Sequence, residues 1–154
     1  TALWLFARNT KMNFIWITDR LVLVVPIACF FIRLGNFFNS EMIGHPTDLP
    51  WAIIFQQIDN IPRHPAQLYE AIAYLISFGI MWFLYQKNQN PKPGKLFGTL
   101  LILLFGARLA LEHFKIDQVA FEQGMALNMG QILSIPFILV GLYLLLRKTT
   151  PVTR

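Results

Sequence analysis

The chain has 154 residues, 55% of them hydrophobic and 14% charged, with a formal net charge of +5 and a mean hydropathy of +0.50. A soluble domain of this length is not so apolar, so the composition points to an integral membrane protein. The basic residues stand in ones and twos between apolar runs, which fits loop charges that set topology and argues against a nucleic-acid partner.

Taken in order, Thr1 to Phe6 is apolar but too short to span, and Arg8 and Lys11 follow it. The segment reads as the cytoplasmic end of a preceding span. The chain opens without an initiator Met or a signal-peptide pattern, so it reads as the later part of something longer. Asn13 to Arg20 is a short amphipathic link, with Thr18 or Asp19 as the N-cap of the next helix. Four spans are expected, at residues 21–38, 66–86, 96–114 and 128–147, the first kinked at Pro26. The fold class is therefore an all-α membrane protein forming a single membrane domain over residues 1–154.

The longest polar interval, Asn39 to Arg63, is an outer loop whose Trp51 rests at the membrane interface. His64 caps the helix that follows, with Pro65 in its first position and Gln67 returning as the second half of the cap. Tyr69 and Trp82 read as interface anchors at the two ends of that helix. A turn-rich connector from Lys87 to Lys95 and a second outer loop from Lys115 to Leu127 complete the chain. Nine of the thirteen cations then fall on one side, which places the C-terminus in the cytoplasm.

Arg33 lies before the end of an apolar run, at membrane depth, where insertion of an arginine costs roughly 2.5–3.5 kcal/mol. Asn36 and Asn39 follow at spacings of three, so a helix would line one face with a cation and two amides. Glu41 adds a carboxylate beyond the boundary, and Gly35 and Gly44 admit a close approach of backbone or ligand. Two readings fit Arg33: pairing with a carboxylate on another helix for packing, or a ligand site. Arg108, Glu112 and Lys115 stand cation, anion, cation along a third span, either as an intrahelical ion pair or as half of a phosphate clamp with Arg33. Gln67 and Glu70 fall at the same depth. His64 and His113 read as positioning or structural side chains, His45 has no assigned role, and Cys29 is a lone cysteine in an apolar run. No spacing suits a metal, and no cofactor is expected.

The run Arg33-Leu-Gly-Asn-Phe-Phe-Asn-Ser-Glu-Met-Ile-Gly44 resembles the signature of the bacterial prolipoprotein diacylglyceryl transferases, departing at Ile32, where the family usually has glycine. Arg63-His-Pro-Ala-Gln-Leu-Tyr-Glu70, the Arg108 and Glu112 pair, and Met129-Gly-Gln-Ile-Leu-Ser-Ile-Pro136 resemble three further family segments. The resemblance implies transfer of a diacylglyceryl group from phosphatidylglycerol to the lipobox cysteine of a prolipoprotein, in the bacterial inner membrane, with membrane lipid as the surroundings. It implies Arg33, Arg108 and Glu112 as catalytic residues. Arg33 binds phosphatidylglycerol on this reading, and Asn36, Asn39, Glu41, Gly44, His64, Gln67 and Glu70 line the substrate site. It also implies an N-terminal half, with a His-Gly-Gly stretch, that this sequence does not include. The alternatives are a non-catalytic remnant or scaffold and a small transporter subunit. A transporter would carry polar residues through the whole depth of a span, whereas the other ends of the first three spans are almost wholly apolar.

Overall fold

The computed structural model describes residues 1–87, 92–116 and 127–147. Residues 88–91 of the connector, 117–126 of the second loop and the tail 148–154 lie outside the described residues, and with them Asp117, Glu122, Lys148 and Arg154. Among the described residues six α-helices carry the fold: α1 (Ala2–Thr10), α2 (Phe14–Leu21), α3 (Val24–Phe38), α4 (Ala66–Lys87), α5 (Lys95–Leu111) and α6 (Met129–Leu146). Among the described residues three stretches, Ala66–Lys87, Lys95–Phe114 and Met129–Leu146, are long and apolar enough to cross a membrane. The bent pair of α2 and α3 makes a fourth if it counts as one span.

That pair corrects the expected first span. The helix breaks at Val22 and Leu23 with a bend of 48°. Pro26 sits buried in the first turn of α3, where its missing N–H removes no helical bond. Neither Thr18 nor Asp19 caps the helix that follows. Asn13 caps α2 by accepting from Ile15 N, and the Thr18 hydroxyl donates to Ile15 O at 2.8 Å. Asp19 reaches across the fold instead: its Oδ2 accepts from Gly94 N at 2.6 Å and its Oδ1 from Phe97 N at 2.8 Å. A carboxylate from α2 thus serves the free N–H groups at the start of α5, where the helix dipole favours negative charge.

Helix α4 also starts differently from expectation. It begins at Ala66, whose N–H donates to the backbone oxygen of His64, and neither His64 nor Gln67 forms a capping box. Such a box does occur at α6, where Asn128 Oδ1 accepts from Gln131 N and Gln131 Oε1 accepts from Asn128 N.

α3 packs on α4, α4 on α5 and α5 on α6. The core between the first three gathers Val22, Tyr74, Met81, Leu96, Leu100 and Leu104. α5 and α6 meet through Gly98 and Gly141: a Cβ on either would stand 2.8 Å from the other's carbonyl oxygen, so only glycine permits this approach.

The chain is not wholly α-helical. In the connection after α3, β1 (Ile53–Ile54) pairs antiparallel with β2 (Pro62–Arg63). Residues 43–47 lie beside both this ribbon and the strand leaving α5. Gly44 N donates to His64 O, His45 N to Phe114 O, and Ile116 N to Ile43 O. Gly44 is the crossing point, since a Cβ there would run into the backbone oxygens of His64 and Phe114. Its close approach is to backbone. Nothing lies within 4 Å of a Cβ built on Gly35. The loop is locked from within by Arg63, which is buried, ion-paired to Asp59 and donates through Nη1 to Gly44 O at 3.4 Å.

Candidate active site

Arg33, in the last turns of α3, is 8% exposed, so its charge requires a partner. It has one in Glu70 of α4, which is fully buried, with Oε2 3.0 Å from Arg33 Nε. Glu70 Oε1 accepts from Lys115 Nζ at 2.9 Å, and Lys115 Nζ also donates to Glu112 Oε2 at 3.2 Å. Arg108 Nε lies 3.9 Å from that same Glu112 oxygen. Arg33, Glu70, Lys115, Glu112 and Arg108 thus form an unbroken sequence of alternating charge across α3, α4 and α5. The packing reading of Arg33 is realised in its pair with Glu70, and the same side chain also lines a cavity.

The cavity measures about 360 Å³ and is lined by Cys29, Ile32, Arg33, Asn36, Met42, Tyr74, Leu104, Phe105 and Arg108. Both arginines open onto it, and the rest of its wall is largely apolar. Arg33 Nη1 donates to Met42 Sδ at 3.0 Å and to Asn36 Oδ1 at 3.5 Å, while Asn36 Nδ2 donates to Glu41 Oε2 at 2.7 Å. Met42 reaches Arg33 because the chain reverses sharply after α3. Ser40 and Met42 take left-handed conformations, with φ of 56° and 53°. Non-glycine residues held in that region carry roughly 1–3 kcal/mol of strain each. Arg108 is the more open of the pair, with its side chain 36% exposed against 10% for Arg33.

Glu112 follows α5 in a 3-10 turn, Glu112–Phe114, so Lys115 stands past the helix end rather than on one continuous face with Arg108. Its carboxylate rests against the first turn of α6: a Cβ on Gly130 would stand 2.5 Å from Glu112 Oε1. The N-terminus of α6 is a favourable place for that negative charge.

Other expected residues lie outside the cavity lining. Asn39 is exposed and closes α3 through its backbone N–H, which donates to Gly35 O. Gln67, fully buried, donates from Nε2 to the backbone oxygen of Glu41 at 2.6 Å, and its Oε1 has no partner. His64 Nδ1 lies 3.1 Å from Tyr69 Oη, which accepts from Trp51 Nε1 at 2.8 Å. Trp51 and Tyr69 therefore bond to each other. These side chains build the loop that covers the arginine end of α3 and α4.

The spacing of Lys115 from Glu112 marks it in the sequence, but its tie to Glu70 carries no signal there, and two further residues at the site are not singled out at all. Tyr74 stands one turn after Glu70, and Met42 occupies a variable place in the signature; neither has a chemistry that separates it from core packing. Among the described residues no group of three or more His, Cys, Asp or Glu side chains is arranged to hold a metal ion.

Comparison with known proteins accords with this architecture. The family model for prolipoprotein diacylglyceryl transferase matches residues 1–147. The phosphatidylglycerol–prolipoprotein diacylglyceryl transferase of Bacteroides fragilis is 52% identical over 144 residues, covering 92% of this chain and 52% of that protein. Proteins of the same name from Tolumonas auensis and Chloroherpeton thalassium are 46% and 42% identical, over 94% and 96% of this chain. They are covered to 57% and 56% of their own lengths, so the chain spans about half the length of the curated relatives it matches. The chain belongs to the prolipoprotein diacylglyceryl transferase family.

Proposed function

We propose that this chain carries the phospholipid-binding part of a transferase that moves the diacylglyceryl group of phosphatidylglycerol to the lipobox cysteine of a prolipoprotein. The single observation behind this reading is the convergence of Arg33 and Arg108 on one mostly apolar cavity. Two guanidinium groups suit a phosphate, and the apolar wall suits the glyceryl backbone and the start of its acyl chains.

In the reaction, the cysteine sulfur, as thiolate, forms a bond to the glyceryl carbon while that carbon's bond to the phosphate oxygen breaks. The electron pair leaves with glycerol phosphate, and the thiol proton passes to a base. Negative charge grows on the phosphate, where Arg33 and Arg108 hold fixed donors before the step begins. Glu112 steadies Arg108, and Glu70 steadies Arg33. Asn36 and Glu41, bonded to each other beside Arg33, serve the glycerol headgroup. Asn39, Gly44, His64 and Gln67 serve the site by building the loop around it.

On this reading the bent pair of α2 and α3 is the first of four spans in the bacterial inner membrane, forming with the rest a single membrane domain. The arginine end faces outward and the C-terminus lies in the cytoplasm, in keeping with the nine of thirteen cations on the opposite side.

The test uses membranes bearing the complete reading frame that contains this chain, phosphatidylglycerol and a lipobox peptide. The peptide is expected to gain the mass of one diacylglyceryl unit. Arg33→Ala and Arg108→Ala should each reduce the rate by on the order of 100-fold or more while the protein still inserts. Full activity in either inserted variant refutes the assignment.

A further inference from the structure

We propose that Lys115 is a positioning residue that keeps the donors of Arg33 and Arg108 free for an anionic lipid headgroup, by holding Glu70 and Glu112 away from them. The inference rests on the phosphate-site reading above. Lys115 is 3% exposed, and its Nζ lies 2.9 Å from Glu70 Oε1 and 3.2 Å from Glu112 Oε2. Its backbone is fixed separately, since Lys115 pairs with Gly44 and its N–H donates to Glu112 O at 3.1 Å. The ammonium therefore reaches both carboxylates from a segment locked to the loop that follows Arg33.

A count of donors shows what Lys115 does there. A carboxylate facing an unhindered guanidinium takes two N–H donors at once. Glu70 has only one oxygen for Arg33, because Lys115 engages the other. That contact falls on Nε, so the outer nitrogens of Arg33 are not consumed by it. Nη1 is held by the thioether of Met42 and by a long contact to Asn36. A thioether is a weak acceptor that a phosphate oxygen displaces. Glu112 is likewise nearer Lys115, at 3.2 Å, than Arg108, at 3.9 Å.

Without the ammonium, each carboxylate turns to its neighbouring arginine and competes with the lipid phosphate for the same donors. The charge balance moves the same way. Within the ion-paired group three cations stand against two carboxylates, and loss of Lys115 leaves two against two.

The test uses the full-length protein in phosphatidylcholine nanodiscs with phosphatidylglycerol titrated in, read by transfer to a lipobox peptide. Lys115→Met is expected to raise KM for phosphatidylglycerol by about tenfold, the loss typical of outer partners of a binding group. Its kcat should change by less than about threefold, since the defect lies in ground-state binding. Lys115→Arg should recover most of the KM effect. Where Lys115→Met does not insert, Lys115→Gln carries the same comparison. An unchanged KM, a loss confined to kcat, or an equal KM defect in Lys115→Arg overturns the inference. Arg33→Ala in the same assay separates it from the reading beneath it. If Arg33→Ala leaves KM unchanged, the phosphate-site reading falls and the inference with it. If Arg33→Ala raises KM and Lys115→Met does not, the inference alone falls.

Discussion

The fold buries carboxylates near both ends of its helices, and Asp19 at one end and Glu70 at the other are treated in opposite ways. Asp19, 3% exposed, spends both oxygens on the backbone N–H groups of Gly94 and Phe97. Arg147 closes the same corner by donating to Pro93 O at 2.8 Å. Glu70, fully buried, is shared between Arg33 and Lys115, in a group where cations outnumber carboxylates and two arginines face a cavity. Asp19 satisfies its own charge and fixes a helix start. Around Glu70 the partners are left short of negative charge, and that deficit is what an anionic ligand can fill. Burial alone does not distinguish the two carboxylates; the partners each one keeps do.

Substitutions in the full-length protein sharpen this contrast. Glu70→Ala leaves two buried cations without a shared partner and should destabilise the protein by about 3–5 kcal/mol, with transfer lost. Thermal unfolding in detergent reads the first effect, and an unchanged transition would remove Glu70 from the centre of the group. Asp19→Ala strips the start of α5 of its acceptor and should cost about 1–3 kcal/mol in the same measurement. KM for phosphatidylglycerol should stay as it was, and a large KM change would break the separation between the two ends.

The smallest effect concerns the loop. Arg63 holds the Asp59 carboxyl below its ordinary value of 3.8, chiefly through their hydrogen bonds. Because the folded state has the lower value, the link is fully present above the unfolded value and is lost as pH falls through the folded one. Acidification below pH 3.8 should therefore lower the protection of the Ile61 amide against exchange, taken relative to its intrinsic rate at each pH, since that N–H donates to Asp59 Oδ1. Asp59→Asn should show the faster exchange at neutral pH as well.

Much of this was legible in the residues. Apolar length alone locates α4, α5 and α6, because in lipid a backbone satisfies its own hydrogen bonds only as helix or closed barrel. Arg33 and Arg108 stand out because charge at membrane depth needs a reason, and the cavity brings them together. The break at Val22 and Leu23 carries no such signal; Pro26 drew attention because proline is the usual cause of a kink. The roles of Asp19 and Lys115 depend on partners distant in sequence, Gly94 in one case and Glu70 in the other. Spacing along a helix cannot show contacts of that range. His64 and Gln67 matched the chemistry of a helix start, yet the loop between α3 and α4 claimed both side chains for its own contacts.

The glycine crossing of α5 and α6 bears on how the cavity can change shape. With Gly98 and Gly141 backbone to backbone, no side chains between them can be reshuffled, so the two helices act as one plate. Leu104, Phe105 and Arg108 belong to that plate, whereas Cys29, Ile32 and Arg33 belong to α3. α3 is joined to α2 through the 48° break. The cavity therefore has one wall on that plate and another on α3, which packs on α4 and is tied to it by the Arg33–Glu70 pair.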